Sequence, residues 1–213
     1  MEKFAVNFEE VSEIGTIVYL AVEGEYAGSL LIADAIKEDA AAAIATMKKL
    51  GIEHIIMLTG DAQSVGEAVA KKLGISEVYS ELLPQDKVTK FEEILSRKKK
   101  NEKVAFVGDG INDTPVLARS DIGFAMGGLG SDAAIEAADV VIMDDKPSKI
   151  GTAMQVAKDT RRIVWQNILF ALGVKGLFLI LGAFGVASMW EAVFADVGVT
   201  VIAVINAMRI LNK

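Results

Sequence analysis

The chain has 213 residues, enough for one domain of ordinary size and something small beside it. Its net charge is −7 and no basic face stands out, so nothing argues for nucleic acid as a partner. With no cysteine it carries neither a disulfide nor a thiolate metal site of its own.

Apolar residues make up 52%, high for a soluble domain, and they are unevenly placed. Residues 1–160 read as charged and soluble. Residues 168–208 hold only three charges, Lys175, Glu191 and Asp196. The opening stretch MEKFAVNFEEVSEIG lacks the apolar segment of a secretory signal.

In chain order, TIVYLAV (16–22) and GSLLIAD (28–34) predict a hairpin turned at EGEY. IKEDAAAAIATMKKL (36–50) predicts a helix stopped by Gly51. HIIML (54–58) reads as a buried strand, AQSVGEAVAKKL (62–73) as a helix ended by Gly74, and EVYSEL (77–82) as a short strand. A helix follows Pro84, and its basic end RKKK (97–100) suits a solvated last turn. VAFV (104–107), DIGFAM (121–126) and DVVIM (139–143) are three further strands with short helices between them. Strands alternating with helices at this spacing predict an α/β fold, a parallel sheet with helices on both faces.

On such a sheet ligands sit beyond the carboxyl ends of the strands. HIIML empties into Thr59-Gly60-Asp61. VAFV empties into Gly108-Asp109-Gly110-Ile111-Asn112-Asp113, and between them Pro84-Gln85-Asp86-Lys87 opens a helix. A hydroxyl, backbone amides at a helix start and a lysine beside them suit a phosphate. Asp109 and Asp113 are hard oxygen donors of the kind magnesium takes alongside phosphate and water. Asn112 can orient a phosphoryl oxygen or a water.

The C-terminal part predicts two membrane spans, 168–187 and 192–208, joined by SMWE into a hairpin. Arg161, Arg162, Arg209 and Lys213 flank it, which places both ends in the cytoplasm. Lys175 and Asp196 are expensive inside a bilayer. Counting from Ser188, their depths differ by about 8 Å, a gap a lysine stem can span. They read equally as a structural ion pair or as part of an ion pathway. Gly173, Gly176, Gly182 and Gly185 would let other helices approach closely.

Taken in order, MLTGD, PQDK and VGDGINDTPVLARSDIGFAMG resemble the haloacid dehalogenase-like fold, and within it the phosphorylation domain of P-type ATPases. GVKGLFLILGAFG and FADVGVTVIAVINAMRIL resemble the last two membrane helices of the heavy-metal branch, the zinc, cadmium and lead exporters. The resemblance runs from about residue 14 to 212. It implies a Rossmannoid parallel sheet followed by a transmembrane hairpin, in an integral protein of the plasma or inner membrane with its soluble part cytoplasmic. Residues 1–27 would be the last strands of a nucleotide-binding domain, 28–150 the phosphorylation domain and 151–213 the hairpin.

The roles it implies are specific. Thr59 and Lys87 would hold a phosphoryl group, with Gly60 and Asp61 in the same loop as Thr59. Asp109 would ligate magnesium, with Asn112 and Asp113 in the same cradle. Asp196 would bind the transported zinc, cadmium or lead ion, and Lys175 would be its counter-charge. ATP would be the phosphoryl donor. The family's nucleophile, the aspartate of a DKTGT motif, does not occur in this sequence; Asp34 follows a strand but no Lys-Thr-Gly follows it. The His-Pro signature and the membrane Cys-Pro-Cys motif do not occur either. The resemblance therefore implies a C-terminal piece of an efflux pump that neither autophosphorylates nor transports alone, its sheet left with unpaired edges where the nucleophile strand belongs. Two other readings stay open. One is a non-catalytic partner of an N-terminal half. The other is a membrane-anchored magnesium phosphatase, although its Asp-x-Asp nucleophile loop is equally missing.

Overall fold

The computed structural model describes residues 16–32, 35–108, 111–127, 132–186 and 189–212. They fall into two compact units, residues 1–150 and 151–213.

In the first unit, β1 (Thr16–Val22) and β2 (Glu25–Ile32) form an antiparallel hairpin. Its turn is Glu23-Gly24, both with positive φ (53° and 87°), the handedness that suits a two-residue hairpin turn. β2 thus starts three residues before the expected Gly28, because the turn is tighter than EGEY suggested. Helix α1 (Ala40–Lys49) starts later than the predicted residue 36. Lys37 accepts a turn hydrogen bond from the Ala40 amide, and Asp39 stands at the N-cap.

The parallel part is in two pieces. Strand β3 (Ile56–Leu58) pairs with β4 (Glu77–Tyr79) through helix α2 (Gln63–Leu73). Helix α2 stops at Gly74, whose φ of 67° is the left-handed cap, as the sequence predicts. Helix α3 (Pro84–Arg97) leads to a three-stranded piece, β5 (Ala105–Gly108), β6 (Ile122–Met126) and β7 (Val140–Ile142), with β6 central. The short helices α4 (Thr114–Leu117) and α5 (Asp132–Ala137) connect them. β6 is buried from Gly123 onward, and with Val116, Leu117, Phe91 and Ile142 it makes the core. Phe91 of α3 meets Phe106 of β5 edge-on, with ring centroids 5.5 Å apart.

The helix pairing suits one order of the pieces. Helix α2 packs with α1, and α3 packs with α4. Parallel crossovers are right-handed, so helices on opposite faces step in opposite directions. The chain therefore steps from β3 out to β4, then back past β3 to β5. Strand direction of travel reverses between β3 and β5, and among the described residues no hydrogen-bond ladder joins those two strands. Ala105 and Val107 of β5 are exposed, whereas a strand inside a parallel sheet is covered on both faces. Among the described residues no strand pairs with β3 or β5 on its second edge, and right-handed crossovers would set those two edges toward one slot.

The second unit is a helical hairpin. Helix α6 (Ser148–Ala183) is 36 residues long, about 54 Å at 1.5 Å per residue, and α7 (Met189–Met208) has 20 residues. Both are long and apolar enough to cross a membrane. The first helix ends at Ala183, four residues before the predicted span does. Gly185 takes φ 74°, and the Val186 amide reaches back to the Leu181 carbonyl, a left-handed helix stop.

Candidate functional site

The site is built from loops at the carboxyl ends of β3, β4 and β5. After β3, the Thr59 hydroxyl donates to Asp61 Oδ2 at 2.7 Å and accepts from the Asp61 amide at 3.1 Å. The loop leaving β4 knits to this one: the Glu81 amide donates to the Asp61 carbonyl and the Leu82 amide to the Thr59 carbonyl. Gly60 lies against the same loop, where a Cβ would stand 3.3 Å from the Leu82 carbonyl oxygen. That loop runs straight into α3. Pro84 opens the helix, and Asp86 accepts a hydrogen bond from the Leu83 amide at 3.1 Å, tying its first turn.

Lys87 stands in that first turn. Its ammonium lies 3.0 Å from Asp113 Oδ1, at the end of a tight helical turn, Ile111–Asp113, that follows β5. Side-chain exposure is 20% for Lys87 and 11% for Asp113. The expected phosphate-binding lysine and an expected magnesium carboxylate are therefore partners here. Asp113 keeps Oδ2, and Asn112 is exposed beside it. One carboxylate oxygen and one amide oxygen are hard donors of the type that fit magnesium with phosphate and water. Asp109, the other expected ligand, lies outside the described residues, as does Asp34. Thr59 and Asp61 pair with each other, while Lys87 pairs with Asp113, so the expected phosphate pair Thr59 and Lys87 sits in separate hydrogen-bonded couples. The first couple lies in the loop after β3, and the second joins the segments after β4 and β5.

In the hairpin, Lys175 Nζ lies 2.7 Å from Asp196 Oδ1. The helix ends explain the match. Lys175 is eight residues before Ala183 and Asp196 is seven after Met189, about 12 Å and 10.5 Å from the two ends. The expected depth difference of about 8 Å came from placing the vertex at Ser188, after the true end of α6, and shrinks to about 1.5 Å.

Residues 2–121 match the haloacid dehalogenase-like hydrolase family. The chain belongs to that family. Over its whole length, it is 64% identical over 212 residues to the cadmium, zinc and cobalt-transporting ATPase of Bacillus subtilis, covering 100% of this chain and 30% of that protein. It is 58% identical over 205 residues to the zinc-transporting ATPase of Synechocystis, covering 96% of this chain and 28% of that one. A crystal structure of a zinc-transporting PIB-type ATPase in its E2.Pi state shares its fold with a TM-score of 0.81 and 36% identity, over 92% of this chain and 31% of the other. The chain is thus homologous to a C-terminal part of cadmium- and zinc-transporting P-type ATPases, and spans about 30% of the length of the first of these relatives.

The haloacid dehalogenase-like unit also uses residues that the motif reading passed over. Gly108 leaves room for Asp113 to fold back: a Cβ there would stand 2.7 Å from the Asp113 Cβ and 3.0 Å from its Oδ2. Gly66 does the same for the first loop, because a Cβ there would collide with the Ser80 hydroxyl and press on Thr59. Asp121 ties the opposite end of β5 and β6. It accepts from Lys98, from the Val104 amide at 2.9 Å and from Lys103 at 3.0 Å. Those donors, Lys98 foremost, hold its carboxyl far below the usual range. The glycines were visible in VGDG and SVGEA, but only the packing shows what each would strike.

Proposed function

We propose that this chain supplies the phosphoryl-handling loops and the last membrane hairpin of an ATP-driven efflux pump for zinc, cadmium or a similar divalent ion such as lead. The observation that carries the reading is the half-hidden Lys87–Asp113 pair at the strand ends, in a chain that also pairs Lys175 with Asp196 across a hairpin of membrane length. Around those strand ends the roles divide. Thr59 and Lys87 hold the phosphoryl group from two sides, with Gly60 and Asp61 shaping the first loop. Asp109, Asp113 and Asn112 hold magnesium, which supplies charge neutralisation when bound.

The acceptor aspartate belongs on a strand that enters the slot parallel to β3 and β5. Such a strand would receive hydrogen bonds from both free edges and cover Ala105 and Val107. The chain by itself then neither takes phosphate from ATP nor moves metal. Residues 1–27, carried on by strand pairing to the end of β2, close a nucleotide-binding domain. The phosphorylation domain follows to residue 150, and residues 151–213 form the hairpin, with both of its ends in the cytoplasm.

In the membrane, Asp196 offers a carboxylate to the passing ion and Lys175 neutralises it between ions. The test joins this chain to the remaining part of the Bacillus subtilis relative and expresses it in cells that lack zinc and cadmium efflux. Restored metal tolerance, lost with Asp196→Ala or with Asp113→Ala, is the expected result. Tolerance that survives Asp196→Ala removes the transport role, and phosphorylation of the unjoined chain by ATP removes the assignment of a missing acceptor.

A further inference from the structure

A second polar tie joins α6 to α7, two turns from the ion pair. Asn167 Nδ2 donates to the Ala203 carbonyl at 3.0 Å, and Asn206 Nδ2 donates to Asn167 Oδ1 at 2.8 Å. Arg209 donates to Asn206 Oδ1 at 3.0 Å. The donors fix one polarity. A guanidinium can only donate, so Asn206 must present its oxygen to Arg209 and its amide to Asn167. Asn167 then has its own amide left, and that reaches a backbone carbonyl of the other helix. Asn167, Ala203 and Asn206 are half-buried among exposed neighbours, as residues on the inner face of a helix pair are.

The spacing links this tie to the ion pair. Ala203 is seven residues from Asp196, about 10.5 Å along α7 and close to the same face. Asn167 is eight residues from Lys175, about 12 Å along α6. The two ties therefore demand the same register. A slip of one residue turns the Ala203 carbonyl by about 100° away from Asn167, and turns Asp196 equally away from Lys175. Unlike the ion pair, the tie between Asn167 and α7 uses no carboxylate, so a cation drawn to Asp196 need not break it.

We propose that Asn167 and Asn206 are positioning residues. They form a register clamp that holds α7 against α6 and keeps Asp196 facing Lys175 while the carboxylate exchanges its partner. The functional half of this inference rests on the transport reading above; the geometric half does not.

The chain has no cysteine, so introduced pairs report register without background. Lys175→Cys with Asp196→Cys and, one turn away, Lys175→Cys with Thr200→Cys would be compared in lipid with a short bifunctional thiol reagent. Because the first pair removes the ion pair, the amide tie is left to hold register. The proposal expects cross-linking to favour the first pair. Asn206→Ala should lower the ratio of first to second pair by roughly threefold, the average weight of an interhelical hydrogen bond in a membrane, and Asn167→Ala, which loses two such bonds, by roughly tenfold. Circular dichroism at native helix content would show that the helices persist. An unchanged ratio in both variants overturns the clamp. In the joined pump, the same variants should raise the metal concentration for half-maximal ATP hydrolysis and leave phosphorylation by inorganic phosphate intact; unchanged metal dependence beside a loosened register overturns the positioning role. If Asp196→Ala leaves metal dependence untouched, it is the transport reading that fails, and the cross-linking still decides the clamp.

Discussion

Lys87 and Asp113 come from the ends of two different strands, 26 residues apart, and meet at 3.0 Å with little exposure to water. The contact ties the start of α3 to the loop after β5, and so holds the two halves of the divided sheet in one frame. It also leaves a lysine and a carboxylate pre-set at the rim of the slot.

Removing one partner strands the other. Lys87→Ala and Asp113→Asn should each destabilise the soluble unit by about 1.5–3 kcal/mol, the weight of a charged hydrogen bond. Denaturant unfolding of the whole chain in detergent, followed by the signal of that unit, checks this. In the joined pump Lys87→Ala should lower the rate of phosphoenzyme formation by about 100–1,000-fold, as loss of a donor to a transferring group does.

Gly108→Ala should act through sterics alone. The new methyl would strike the Asp113 Cβ, which is fixed to the backbone and cannot swing aside. An overpacking cost of about 1–3 kcal/mol is expected. A lowered thermal midpoint in Gly108→Ala, with little or no further loss when the same change is made beside Asp113→Gly, which removes the atom that is struck, is the diagnostic result.

Asp121 makes stability depend on acid. Its folded carboxyl is held below the unfolded value of 3.8 by Lys98, the Val104 amide and Lys103. A depressed carboxyl contributes fully above the unfolded value and loses that contribution as pH falls through the folded one. Asp121→Asn should therefore be less stable than the parent by a constant margin from pH 7 to about 5, and the margin should start to shrink below about pH 4 and go on shrinking as pH falls toward the depressed folded value. Unfolding curves at four or five pH values decide it; a margin that does not shrink at all between about pH 5 and pH 2.5 would mean the amide fails for reasons of shape.

Lys175 and Asp196 should show the asymmetry of a paired charge in lipid. Changing either to alanine leaves an unpaired charge among apolar side chains, while changing both leaves none. The double variant should give more folded, monodisperse protein in detergent than either single one, measured by size exclusion after heating. In the joined pump, all three should lose metal-dependent ATP hydrolysis.

Most of the α/β part was legible because its punctuation is local. Gly74 and Pro84 end and begin helices by their own conformations, and the loop after β5 announces itself as GDGIND. Other features depend on three-dimensional neighbours. Gly185 read as a small residue for helix packing, yet its left-handed φ stops α6 and moves the hairpin vertex, which is what levels Lys175 with Asp196. Asn167 and Asn206 looked like two polar residues near span ends, and only the hairpin brings them together. Asp121 read as the start of a strand, and its two lysines arrive from α3 and the following loop.

The slot between β3 and β5 also sets an order of events. Each half of the sheet is made of neighbouring segments, strand–helix–strand, whose contacts close short loops and form early. A strand that bridges β3 and β5 has to come from outside residues 56–108, so its contacts span a long stretch of sequence and form late. On the proposed reading, the loops after β3 and β5 are then in place before the acceptor strand arrives. Until that last pairing, the second edges of β3 and β5, unpaired among the described residues, would be open to any passing strand. A chaperone that shields such edges would raise the yield of the assembled enzyme more than it would that of the hairpin.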